Sequence, residues 1–186
     1  FFVVFRHDAT APGRSVAPAT FSVVVDVPGP WTVTFQPGRG APHSIELAAL
    51  RSLSEHTQPG VRYFSGVAAY TKTIDSPPAY VPGRSLWIDL GAIGDVAEVW
   101  VNGRLAGTAW HAPYRVDIGR FMNRGRNELE IRVANLWVNR LIGDAQPGAT
   151  PITYTATPTY TPDAPLRPSG LIGPVRLLTQ NLLDES

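Results

Sequence analysis

Glu128 and Glu130 stand two apart in the run Glu128-Leu129-Glu130-Ile131-Arg132-Val133. On a strand both would point to one face, within the roughly 5 to 9.5 Å that most glycoside hydrolysis requires of its two carboxylates. They alternate with Leu129 and Ile131, however, and Arg126 and Arg132 flank them. That pattern fits a solvated strand face crossed by ion pairs better than a reactive acid pair. Asp117 and Asp144 fall near expected loop ends, where a turn role outweighs a metal or polar site. His7, His43, His56 and His111 are scattered without ligand spacing, and Cys is absent, so zinc and thiol chemistry have no foothold. No H-E-x-x-H, no G-x-S-x-G and no phosphate-cradling Gly loop occurs. No catalytic residue is therefore expected in this chain.

Aromatic side chains offer a different chemistry. Sugar rings present flat C–H faces that sit on aromatic rings, while Arg, Asn and His reach the hydroxyls. Two clusters combine these types, Trp110-His111-Ala112-Pro113-Tyr114-Arg115 and Asn135-Leu136-Trp137-Val138-Asn139-Arg140. The candidate carbohydrate-binding residues are Trp110, His111, Tyr114, Arg115, Trp137, Asn139, Arg140 and Arg167. The competing reading is a polar loop network that locks one rim, with Arg115 or Arg140 bonded to backbone carbonyls. Trp31 alternates with Val33 and Phe35, as core or inter-domain packing requires. Trp87 and Trp100 each oppose the aliphatic face of their strand; either loops or a neighbouring domain cover them, or they form an open platform that docks a partner.

The elements that must position these residues are short strands. Period-two alternation predicts strands over Thr20–Val27, Trp31–Phe35, Tyr63–Ile74 (one long strand, or two with a break at Gly66), Leu86–Leu90, Ala97–Val101, Tyr114–Ile118, Glu128–Val133 and Val175–Leu178. Ser44–Leu53 fits either a helix or a strand leading into a turn. Asn102-Gly103 tolerates positive φ at both positions, as a type I′ hairpin turn needs, with Arg104–Gly107 as the return strand. Residues 143–167 carry no strong period and form a long Pro/Thr/Tyr-rich insertion, of the kind that is usually functional or disordered. This segment either covers the mouth of a neighbouring catalytic domain, with Tyr154 and Tyr160 touching substrate or partner, or runs extended in solvent.

The chain has 186 residues, 20.1 kDa, 44% hydrophobic and 17% charged residues, and a formal charge of +1. This composition excludes disorder and argues against electrostatic capture of nucleic acid. Apolar runs such as Phe1–Phe5 are far shorter than the roughly 20 residues of a membrane span. Eighteen Pro and seventeen Gly spread along the whole length leave little room for long helices. The expectation is an all-β, antiparallel jelly-roll β-sandwich over residues 20–186. Residues 1–19 read as the tail of a preceding domain with a Pro/Gly/Ala linker, since the chain opens as if mid-strand.

The order of several motifs is also familiar. Tyr63-Phe64-Ser65-Gly66, Leu90-Gly91 and Glu98-Val99-Trp100-Val101-Asn102-Gly103 are followed by Trp110–Ile118, Gly125–Leu129, Asn135–Arg140 and Ser169–Val175. This order resembles the sugar-binding β-sandwich of glycoside hydrolase family 2. The run Asn135–Asp144, NLWVNRLIGD, resembles still more closely the C-terminal portion of family 106 α-L-rhamnosidases. The resemblance covers about residues 20–180. It implies a galactose-binding-like sandwich attached to a catalytic domain of the same polypeptide, with bracing of that domain and contact with oligosaccharide as the roles open to it. It further implies an extracellular or periplasmic setting and a turn at Arg167–Gly170 packed near Trp137. Cofactors are not expected; structural calcium occurs in such sandwiches, but no acidic cluster here compels it.

Overall fold

Where hydrophobic residues alternate, the chain is pleated. The computed structural model describes residues 18–181, so the tail expected over residues 1–19 lies, but for its last two residues, outside the described part. In chain order the first elements are β1 (Thr20–Asp26), β2 (Trp31–Phe35), β3 (Ser44–Leu47), a single helical turn α1 (Pro59–Arg62) and β4 (Gly66–Asp75). The short strands β5 (Trp87–Asp89) and β6 (Ala92–Ile93) lead to the hairpin β7 (Val96–Val101) and β8 (Arg104–Ala109). Then come β9 (Arg115–Asp117), β10 (Arg126–Asn135), α2 (Val138–Asp144), β11 (Leu171–Gly173) and β12 (Arg176–Asn181).

Two antiparallel sheets face each other, one ordered β3-β2-β4-β10-β7-β8 and the other β1-β12-β5-β9. A short β11-β6 ladder closes one end. Alternate residues of the larger sheet, among them Trp31, Val33, Tyr70, Val99, Leu129 and Ile131, point inward and are fully buried. They meet Ile88, Val116 and Leu177 from the smaller sheet, all buried. Each such side chain contributes about 1.5–3 kcal/mol on leaving water. The expected antiparallel β-sandwich is the fold observed. Among the described residues no helix is long and apolar enough to cross a membrane.

The hairpin turn forms as expected, with φ of 52° at Asn102 and 74° at Gly103. One expectation needs correction. The strand expected over Tyr63–Ile74 starts only at Gly66, because Pro59 opens the turn of α1 and Tyr63 caps it. Of the two alternatives for Ser44–Leu53, the strand leading into a turn is the one observed: the four-residue β3, irregular chain, then a 3₁₀ turn at Leu53–Glu55. The apolar spacing there reflects Leu47 reaching the core from β3 and Leu53 from the 3₁₀ turn.

Helix α2 has no signal of its own. Seven residues are too few to hold a helix in water, and its N-cap Trp137 makes no side-chain cap. Burial of Asn139, Arg140, Ile142 and Gly143 holds it instead. A Cβ on Gly143 would stand 2.5 Å from the Cβ of Tyr63, so only glycine lets the helix lie this close.

The insertion returns from α2 to β11 with neither helix nor strand over residues 145–170. Its backbone is satisfied by side chains. Asn139, 2% exposed, donates to the Arg167 carbonyl at 2.8 Å and accepts from the Arg167 N–H at 2.8 Å. Gln146 donates to the Pro162 carbonyl at 2.8 Å. Arg140 Nε lies 2.9 Å from Asp144 Oδ1, both side chains nearly buried. The other Asp144 oxygen accepts from the N–H of Thr153 at 2.9 Å and from its hydroxyl. Desolvation opposes the charge on Asp144, but the hydrogen bonds from Thr153 and Ile152, with Arg140, outweigh it and hold its pKa below the usual carboxylate value.

A carboxylate whose folded pKa lies below the unfolded value of about 3.9 stabilises the fold fully above that value. The contribution drains away as pH falls toward the folded pKa. Asp144→Asn should therefore cost about 3 kcal/mol at neutral pH, since it strands the Arg140 charge. In urea titrations the gap to the parent chain should narrow on acidification; a gap independent of pH would count against this pairing. Asn139→Ala leaves the Arg167 N–H and carbonyl without their partner, and a loss of about 2 kcal/mol is expected. Faster amide hydrogen exchange at Arg167 should accompany it.

Candidate functional site

The antiparallel register brings distant segments to one rim. Val67, Ala134 and Val96 are neighbours across β4, β10 and β7, and Ala97 pairs with Ala109 of β8. The residues that follow β10 and β8, Leu136-Trp137 and Trp110-His111, thus leave the larger sheet at the same edge. Trp110 is 69% exposed, with the His111 ring edge-on at 4.5 Å. His111 Nδ1 lies 2.9 Å from the Ala112 carbonyl oxygen. Trp137 is 50% exposed, with the Arg39 guanidinium 5.5 Å from its ring centre.

Beside Leu136 a cleft of about 330 Å³ opens between the Gly94-Asp95 turn and the returning Arg167-Pro168-Ser169 segment. Asp95 accepts from the Leu136 N–H at 3.1 Å, and the Gly94 N–H donates to the Gly170 carbonyl at 2.8 Å, so both walls are fixed. Leu136 and Val138 give the cleft an apolar side, while Asp95 and the exposed Arg167 line it with charge. Carbohydrate could meet this combination of apolar wall and hydrogen-bonding groups.

The eight candidate residues fall into three places. Trp110, His111, Trp137 and Arg167 belong to this rim. Tyr114 and Arg115 are carried toward the smaller sheet, where Arg115 Nε pairs with Asp89 Oδ2 at 2.7 Å and its guanidinium lies 4.8 Å from the Phe21 ring centre. Asn139 and Arg140 face inward, their polar groups held by Arg167 and Asp144. Asp95 and Leu136 were not singled out in the sequence. Their role arises only from the pairing of Asp95 with a backbone N–H 41 residues away, which no local spacing encodes.

Trp87 and Trp100 are half-buried, neither sealed in nor laid open. Trp87 meets Phe21 edge-on at 5.4 Å. Trp100 lies under Arg132, 4.3 Å from the guanidinium to the ring centre, and donates to Glu98 at 3.0 Å. Arg132 in turn binds Glu130 at 2.6 Å, a hydrogen bond that raises the guanidinium pKa further. Glu130 is thus engaged in the expected ion-paired strand face. Asp117 accepts from the Ser85 hydroxyl at 2.8 Å and from the N–H groups of Leu86 and Gly119 at 3.2 and 3.0 Å. The expected turn role for Asp117 is observed, whereas Asp144 ends a helix rather than a loop.

Comparison with known proteins adds the family. Residues 59–164 match the model of the glycosyl hydrolase 2 galactose-binding domain-like family. A solved rhamnosidase from Novosphingobium sp. PP1Y is 57% identical, with a TM-score of 0.84 over 94% of this chain and 16% of that one. A Formosa agariphila protein provisionally named a beta-glucuronidase is 40% identical over 117 residues, 62% of this chain and 10% of its own length. A beta-glucuronidase from Ruminococcus gnavus, 18% identical with a TM-score of 0.57, covers 90% of this chain and 30% of that one, and shares the fold. The chain therefore spans only a small fraction of the relatives it matches. With more than half its length matched by one family model, it belongs to the glycosyl hydrolase 2 galactose-binding domain-like family, a β-sandwich domain of glycoside hydrolases.

Proposed function

We propose that this sandwich is a non-catalytic module of a larger glycoside hydrolase of rhamnosidase type, which braces the catalytic domain of the same polypeptide. The observation that carries this is the 57% identity to a rhamnosidase of which the chain covers only 16%. The carboxylates agree with it. Glu130, Asp89 and Asp144 are each tied to an arginine, and Asp117 is saturated by donors. A general acid needs a raised pKa. Asp144 moves the other way, and so does Asp163, which accepts a hydrogen bond from Thr161.

The rim is the docking surface in this reading. Val67, Val96, Leu136, Trp137 and Trp110 expose an apolar strip along it, and aromatic residues in such strips anchor interfaces. A second reading, direct contact with glycan at the same rim, is favoured by the cleft in which Asp95 and Arg167 flank Leu136.

The 186-residue chain alone should not hydrolyse aryl rhamnosides or aryl glucuronides at any enzyme concentration. Activity that Glu130→Gln abolishes would overturn the non-catalytic reading. In the full polypeptide, Trp110→Ala with Trp137→Ala should weaken docking by about 2 kcal/mol or more, roughly thirtyfold. A lower unfolding temperature of the catalytic domain reports the change. If stability is unchanged but calorimetry shows lost oligosaccharide binding, the glycan-contact reading replaces bracing.

A further inference from the structure

The Pro/Thr/Tyr-rich insertion is anchored at three points and forms a second groove, whose lining shares no residue with that of the rim cleft. It is pinned at Thr153 by Asp144, at Pro162 by Gln146 and at Arg167 by Asn139. Between it and α2 lies a groove of about 280 Å³, lined by Leu141, Tyr154, Thr155, Pro158, Thr159 and Tyr160. Tyr154 is 89% exposed. A large aromatic ring left in water on an anchored loop is unusual, because it forgoes the burial that normally holds such a ring.

From this geometry we infer that the groove is a subsite for one neutral sugar unit, with Tyr154 as its stacking face. Two tyrosine rings offer flat faces for C–H stacking, and their hydroxyls together with those of Thr155 and Thr159 suit a polyol. Charge decides which sugar. Among the described residues the lining holds no Lys, Arg or His. Its single acid, Asp144, is already bound to Arg140 and Thr153. A uronate would bring a carboxylate with no cation to receive it, and its desolvation would go uncompensated. The volume lies just below the roughly 300 Å³ at which pockets for drug-sized ligands begin, so it suits one ring rather than a chain. This subsite rests on the reading of the chain as part of a glycoside hydrolase, but not on docking at the rim.

The test is a titration of the ¹⁵N-labelled 186-residue chain with methyl α-L-rhamnoside, methyl β-D-galactoside and, separately, D-glucuronate. Backbone signals of Thr155, Thr159 and Leu141 should shift with a neutral glycoside and not with glucuronate. Tyr154→Ala should weaken binding about tenfold and Tyr154→Phe much less, since the ring is retained; the side chain is exposed, so both variants should fold. Trp110→Ala with Trp137→Ala should leave the titration unchanged. No shift with either neutral glycoside, equal binding of glucuronate, or shifts confined to the Trp110 and Trp137 rim would each overturn the subsite. None of these outcomes bears on whether the rim docks a catalytic domain.

Discussion

A backbone that leaves regular structure inside a protein must find partners for every N–H and carbonyl, and in this sandwich buried side-chain amides supply them. Asn135 ends the longest ladder of the larger sheet. Its side chain accepts the Gly170 N–H at 2.6 Å and donates to the Gly66 carbonyl at 3.1 Å. Asn139, one helical turn on, does the same for Arg167. Ser52 accepts the Ser169 N–H at 2.9 Å. Three side chains thus do for the returning chain what a ladder does for a strand. Without them the insertion would carry buried, unpaired backbone groups, each costing about 1–3 kcal/mol. The same logic recurs at the opposite rim, where Asn127 donates to the carbonyls of Asn123 and Gly125 at 3.0 and 2.7 Å and accepts the Asn123 N–H at 2.7 Å.

This amide stitching fixes what the rim can present. Between Asn135 and Asn139, which turn inward, Leu136 and Trp137 are exposed and Val138 is partly buried. Trp137 is half in water, and the Arg167 side chain is outside because its backbone is held from within. The exposure of the rim is therefore a by-product of the same contacts that close the fold. Removing an inward amide should disturb the outward face as well as the stability of the fold.

Much of the fold was legible because strands declare themselves locally. Leu129, Ile131 and Val133 alternate with charged residues, and Asn102-Gly103 can hardly be anything but a tight turn. The boundaries failed where a local signal competed with a distant one. Tyr63 looks like strand, yet Pro59 starts a helical turn that Tyr63 must finish. Helix α2 was invisible because its stability comes from Gly143 packing on Tyr63 and from Arg140 meeting Asp144, not from propensity. The motif order pointed to the right family, since turn residues and core positions recur together in such sandwiches. It could not say which member of the NLWVNR run faces solvent.

That last question shows how a shared motif and a binding site differ. Asn139 and Arg140 carry the chemistry one would assign to sugar recognition, but the Asn139 amide is already spent on the Arg167 backbone and the Arg140 guanidinium lies against Asp144. The side chains that the fold does not consume are the exposed rings of Trp110, Trp137 and Tyr154, and the proposed contacts rest on these. The long insertion then has a physical rationale. Its anchors, Asn139, Gln146 and the Asp144–Thr153 pair, are distinct from Tyr154, Thr155, Thr159 and Tyr160, so the side chains of the proposed subsite are not the ones that hold the loop in place.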